Sequence, residues 1–232
     1  MSVKLINKVM GDVNMKEEYR ARLNKLSTTN VSDALDVLGL KGSTYGIRPT
    51  WEGCKKIVGE AVTVKIIAAG LTKSPNHLGV QAIEVAKQGD VIVIDNSGRL
   101  DVSCWGGILA NGAKEKRVSG VVIDGACRDL DDFVEADFSV YARGAVVSTA
   151  RGRITEEATN VMVQFAGVQV RPKDIVLADR SGVVIIPREK LEEVLQKAEE
   201  LFKKEEEMIK EIRGGASMLK VDKKFNYEKM LK

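Results

Sequence analysis

Residues 89–129 read GDVIVIDNSGRLDVSCWGGILANGAKEKRVSGVVIDGACRD. Two apolar runs, DVIVID (90–95) and GVVID (120–124), are each preceded by a turn signal and are too short to be helices of their own. Such runs suit strands buried on both faces. Between them, ILANGAKEKR (108–117) predicts a helix. A strand–helix–strand unit of this kind places its strands side by side and parallel, through a right-handed crossover. Their carboxyl ends, Asp95 and Asp124, then share one edge of the sheet. Ligands of open α/β sheets sit at that edge. The loops that follow, SGRLDVSCWGG (97–107) and GACRD (125–129), should therefore open side by side.

Upstream, MKEEYRARLNKL (15–26) and TTNVSDALDVLG (28–39) predict two helices, the second closed by Gly39. Residues 57–68 are β-branched and predict a strand. After the Gly- and Pro-punctuated loop AGLTKSPN (69–76), HLGVQAIEVAK (77–87) resumes a helical period. Downstream, SVYARGAVVST, VMVQFAGVQVRPKDIVLAD and GVVIIP are β-rich. From Arg188, REKLEEVLQKAEELFKKEEEMIKEIRGG has apolar residues at 191, 194, 195, 198, 201, 202, 208, 209 and 212, which predicts a long amphipathic helix. It either lies on its own domain or reaches a partner subunit, and residues 216–232 read as a loosely attached end. Helices early and strands late predict layered α and β in one domain, residues 1–187. A C-terminal helix and tail, residues 188–232, are expected to pack on a neighbouring subunit.

The 232 residues include 36 basic and 33 acidic ones, a net charge of +3. That balance gives no reason to expect nucleic acid or an acidic membrane as partner. No apolar run reaches the ~18 residues of a membrane span, and the N-terminal stretch lacks an export pattern. A cytoplasmic location is expected. Cys54, Cys104 and Cys127 are widely spaced, which fits buried thiols rather than a disulfide framework or a zinc site. The single histidine, His77, argues against Ser-His-Asp, Cys-His and multi-histidine metal sites, and is assigned to packing or a loop hydrogen bond.

Gly106 and Gly107 precede the helix 108–117, so free N–H groups of its first turn point into the loop space. Such a terminus can hold a carboxylate or phosphate. It is neither a P-loop nor GxGxxG. Arg128 can grip a carboxylate through two parallel N–H bonds. Asp129 can hold a hard cation such as magnesium, which needs only one or two protein carboxylates. Sequence neighbours do not face each other on a helix, so both are expected to face one small 2-oxo acid. The plainer alternative is an exposed ion pair, worth ~0–1 kcal/mol. Lys65 in AVTVK offers a Schiff-base alternative, against the plainer reading of an exposed or ion-paired lysine.

WGGILANGAKEKRVSGVVIDGACRDLDDF (105–133), with its GxxxDGxxRD pattern, resembles the core of the RraA-like family. VQVRPKDIVLADRSGVVIIPREKLEEVL (168–195) resembles that family's ending, and with AVTVK the similarity covers most of residues 30–200. The family includes 4-hydroxy-4-methyl-2-oxoglutarate aldolases and the RraA regulators of ribonuclease E. The resemblance implies an α/β/β/α layered, swivelling-type (phosphohistidine-domain-like) fold with a long C-terminal helix. It further implies a homotrimer or homohexamer with the pocket near a subunit boundary. It implies a class II type lyase using Mg²⁺ or Mn²⁺ to release pyruvate from a small 2-oxo acid, with possible oxaloacetate decarboxylase activity. By the same resemblance, the backbone of Gly106, Gly107, Ile108 and Leu109 contacts pyruvate, Arg128 binds substrate and Asp129 binds the metal. One departure stands out: aldolase members carry an acidic residue 21 positions before the arginine, and Gly107 stands there. Asp101 or Asp95 could substitute, and Glu205 could serve a neighbouring subunit. The family's basic residue after the β-rich turn corresponds to Arg151 or Arg153, and Trp105 is expected beneath the pocket. The alternative is a non-catalytic regulator acting by protein–protein contact. The regulators are shorter and their metal aspartate is usually replaced, whereas Asp129 and the C-terminal arm are present here.

Overall fold

The computed structural model describes residues 15–71 and 76–226. The readings of residues 1–14, of 72–75 within the AGLTKSPN loop, and of 227–232 lie outside the described residues. Two helices lead, α1 (Glu17–Lys25) and α2 (Thr28–Val37). Ser27 starts α2 with a reciprocal capping box to Asn30, and Gly39 leaves the helix end at φ 67°. Then come β1 (Arg48–Pro49), β2 (Ile57–Ala68), α3 (Val80–Val85), β3 (Val91–Ser103), α4 (Gly107–Glu115) and β4 (Gly120–Cys127). The chain continues with α5 (Leu130–Glu135), β5 (Val140–Ala145), β6 (Ile154–Thr159), β7 (Val163–Phe165) and β8 (Val168–Val170). It ends with β9 (Ile175–Asp179), β10 (Gly182–Ile186), α6 (Leu191–Arg213) and α7 (Met218–Phe225).

The strand–helix–strand unit is in place. β3 and β4 pair in parallel, with Val91 opposite Gly120 and Asp95 opposite Asp124. β2 organises the rest. Its residues 57–60 pair antiparallel with β9, residues 61–65 run parallel to β3, and residues 64–68 pair with β6. The resulting sheet runs β1-β5-β4-β3-β2-β9-β10, with β6 on β2. Thr44 donates its N–H to the Val183 carbonyl, so the segment leading into β1 lies beside β10 and the sheet nearly closes.

Three apolar clusters hold these elements. Ala82 and Ile83 of α3, Leu109 and Ala113 of α4, and Phe133 of α5 pack on Ile92, Ile94, Val121 and Ile123. Leu23, Val31, Leu35 and, from α6, Val194, Leu195 and Ala198 pack on Leu177 and Ile186. Between them Val91, Val93, Val122 and Tyr141 meet Val176 and Ile185, closed by Val163, Phe165 and Val168 of the β7–β8 hairpin. α6 therefore lies on its own domain over its first half, where Arg22 also pairs with Glu199 at 2.7 Å. Among the described residues no helix is long and apolar enough to cross a membrane.

Several boundaries differ from the sequence reading. The segment read as the loop 97–107 is mostly strand: β3 runs to Ser103, leaving the β4 register after Asp95 and rejoining it at Arg99 and Ser103. Ser97 (φ 52°) and Gly98 (φ 70°) make the excursion. The helix expected over 77–87 is confined to α3, because Gly79 adopts φ 82° and cannot extend it backwards. The expected loose end contains α7, which buries Val221.

Candidate active site

α4 begins where β3 ends, and the turn between them is built around Trp105. Its ring is buried, and its carbonyl accepts the Arg128 N–H at 3.0 Å. That bond ties the loop after β3 to the loop after β4. Gly106 and Gly107 allow close approach: a Cβ on Gly106 would lie 2.5 Å from Asp129 Oδ2, and one on Gly107 only 1.7 Å from Asp132 Oδ2. The two loops do share one edge. A cavity of about 290 Å³ is lined by Trp105, Gly106, Ile108, Leu109, Arg128 and Asp129. His77, Arg151, Thr149 and Ser103 complete its polar wall.

Arg128 and Asp129 differ from expectation in one respect. Arg128 Nε lies 3.3 Å from Asp129 Oδ2, so the two side chains touch each other as well as lining the cavity. The cause is local: Asp129 takes the left-handed conformation (φ 59°, ψ 49°), in which the neighbour rule for helices does not apply. Asp129 Oδ2 also accepts the Gly107 N–H at 3.1 Å, so this amide is committed within the protein. The amides of Ile108 and Leu109 have no acceptor among the described residues and remain available at the helix start. Asp129 Oδ1 likewise has no protein partner among those residues.

Other candidates are placed elsewhere. Asp101 is held by Arg99 at 2.7 Å, outside the cavity wall. Asp95 is buried and accepts the N–H groups of Ser97 and Gln164; burial raises its carboxyl above the ordinary range. Glu205 accepts a hydrogen bond from Asn30 of the same chain at 2.7 Å. Of the two arginines of TARGRIT, Arg151 lines the cavity, whereas Arg153 bonds the Thr149 carbonyl. Lys65, the Schiff-base candidate, pairs with Glu157 at 3.0 Å and lies outside the cavity wall, as the plainer reading of an ion-paired lysine has it. Cys104 lines the cavity, but burial pushes its thiol well above the usual range. Cys127 is likewise pushed up to about 12 by burial, so neither suits a thiolate nucleophile. His77, assigned to packing or a loop hydrogen bond, is exposed rather than packed; its Nδ1 lies 3.1 Å from the Leu78 carbonyl of its own loop, and the residue also lines the cavity wall. A lone histidine in a punctuated loop gave little reason to place it there.

The donor set suits a hydrated ion of the magnesium type. One carboxylate oxygen is free beside open space, and such ions keep most of their waters. Among the described residues no group of three His, Cys, Asp or Glu ligands gathers there, so an ion held by Asp129 would take its remaining ligands from water and substrate.

A nearly closed mixed sheet with a long C-terminal helix makes a single mixed α/β domain, with a cavity at the parallel strand ends. The chain belongs to the RraA-like family (Aldolase/RraA), whose match spans residues 28–185. It is 34% identical to a Halalkalibacterium halodurans protein provisionally named a 4-hydroxy-4-methyl-2-oxoglutarate aldolase, covering 78% of this chain and 82% of that one. It is 29% identical to protein DlpA of Legionella pneumophila over 89% of its length, but spans only 34% of DlpA. The crystal structure of Streptomyces coelicolor RraAS2, described as an unusual member of the RNase ES inhibitor RraA family, superposes with a TM-score of 0.75 at 26% identity. That match covers 84% of this chain and 98% of RraAS2.

Proposed function

We propose that the protein is a divalent-metal-dependent lyase that cleaves a C–C bond of a small 2-oxo acid to give pyruvate. The observation that carries this is the convergence of Arg128, Asp129 and the free amides of Ile108 and Leu109 on one cavity. Arg128 binds the carboxylate through its guanidinium fork, and the two amides orient it at the helix terminus. Asp129 would hold Mg²⁺ or Mn²⁺, whose chemistry is to polarise the 2-oxo group and stabilise enolate charge. Trp105, Leu109 and Val80 exclude water from the reacting bond. The name borne by the Halalkalibacterium relative supports the aldolase reading. The absence of an acidic side chain at Gly107 leaves a second reading, a regulator acting by protein contact, which the kinship with RraAS2 supports.

The order helix, sheet, sheet, helix of a swivelling-type domain is supported by three separate apolar clusters. Assembly as a trimer or hexamer is inferred from the family resemblance. The functional test is pyruvate release from oxaloacetate and from a 4-hydroxy-2-oxo acid, with and without EDTA, in wild type and Asp129→Ala. Both EDTA and the substitution should abolish it. Turnover surviving both would exclude the metal-dependent reading, and no turnover at all would favour the regulator.

A further inference from the structure

Retro-aldol cleavage needs a group that removes the proton of the hydroxyl on the carbon being released. Most of the cavity wall is unsuited to that task. Arg128 and Arg151 carry only donors and cannot accept a proton, Cys104 is pushed up by burial, and Asp129 has Oδ2 engaged by Arg128 and Gly107 and its other oxygen assigned to the cation. Ser103 and Thr149 are hydroxyls. Among the described residues of this wall, His77 alone is of a type that ordinarily gains and loses a proton near neutrality.

The imidazole is presented in a definite way. Nδ1 lies 3.1 Å from the Leu78 carbonyl, which can only accept, so Nδ1 carries the hydrogen. The neutral ring therefore offers the Nε2 lone pair. The turn that carries it is fixed from two sides. Gly79, at φ 82°, donates its N–H to Glu156 Oε2 at 2.7 Å, and sits so close to Trp105 that a Cβ would lie 3.1 Å from the ring. Trp105 is the same residue whose carbonyl holds the Arg128 amide. Trp105 thus touches both loops, the guanidinium loop through its backbone carbonyl and the histidine turn through its ring. Among the described residues, the charged groups that share the cavity wall with the imidazole are Arg128, Arg151 and Asp129, and Glu156 holds the turn that carries it.

We propose that His77 is the general base of the cleavage step, an inference that rests on the lyase reading above. Nε2 takes the hydroxyl proton, breaking O–H and forming N–H. The oxygen lone pair closes a new C=O, and the electron pair of the breaking C–C bond passes into the pyruvate enolate. The imidazolium then returns the proton to the enolate carbon, giving pyruvate and leaving the base neutral. Decarboxylation of oxaloacetate has no hydroxyl proton to remove, so it does not pass through the first transfer.

The test compares His77→Gln with wild type on both substrates. Because His77 is exposed, the substitution spares the core, which a melting curve checks. The ratio of 4-hydroxy-2-oxo acid cleavage to oxaloacetate decarboxylation should fall about 100-fold or more, the usual contribution of a general base. An unchanged ratio, whether both rates fall together or neither falls, would overturn the assignment. Wild-type pyruvate release from oxaloacetate without any aldol cleavage would sink the base and leave a lyase; release from neither acid would sink both.

Discussion

Gly107→Ala puts a methyl group where the Asp132 carboxylate stands. The added Cβ would meet Oδ2 at 1.7 Å, Cγ at 2.5 Å and Cβ at 2.7 Å, so the whole end of Asp132 must move. Forcing extra volume into a filled site costs ~1–3 kcal/mol, while alanine suits a helix better than glycine by ~1 kcal/mol. The single variant should therefore lose ~0–2 kcal/mol. With Asp132→Ala in place the contacts to Oδ2 and Cγ are gone and only the one to Cβ at 2.7 Å remains, so the same glycine substitution should cost less, between ~1 kcal/mol destabilising and ~1 kcal/mol stabilising. Urea unfolding of the four proteins gives the coupling directly, expected at ~1–3 kcal/mol. Equal costs in the two backgrounds would refute the claim that Asp132 occupies the space of a side chain at 107. The same space limits an acidic residue there, so Gly107→Asp should raise Mn²⁺ affinity only when combined with Asp132→Ala, as read by titration with the free ion.

Arg128→Ala should lower kcat/KM for pyruvate release by roughly 100- to 1,000-fold, as loss of a transition-state charge donor does; a change below fivefold would remove Arg128 from the reaction. Phe133, fully buried on the inner face of α5, should cost ~3–5 kcal/mol on truncation to alanine, read as an unfolding midpoint shift. Cys104 and Cys127 should resist iodoacetamide in the native protein at pH 8, because burial raises both thiols, and mass spectrometry should find Cys54 alkylated first since it is only half-buried.

The parallel pairing of β3 with β4 was legible because VIVID and GVVID are continuous apolar runs, which only a strand covered on both faces tolerates. α6 was legible through its amphipathic period, and packs as that period demands. Conformations outside the common backbone regions were not legible. Ser97 and Gly98 turn an expected loop into a strand excursion, and left-handed Asp129 swings its carboxylate back onto Arg128. For the same reason the sequence could not separate Arg151 from Arg153, or show that Asp101 is spent on Arg99. His77 reaches the cavity through a tertiary contact, Gly79 on Trp105, between residues far apart in the chain.

Soaking crystals with pyruvate and Mg²⁺ examines the shared carboxylate site without reference to turnover. The predicted density has the carboxylate between the guanidinium of Arg128 and the amides of Ile108 and Leu109, with an ion on Asp129. Pyruvate bound away from Arg128, or an ion bound without Asp129, would contradict it.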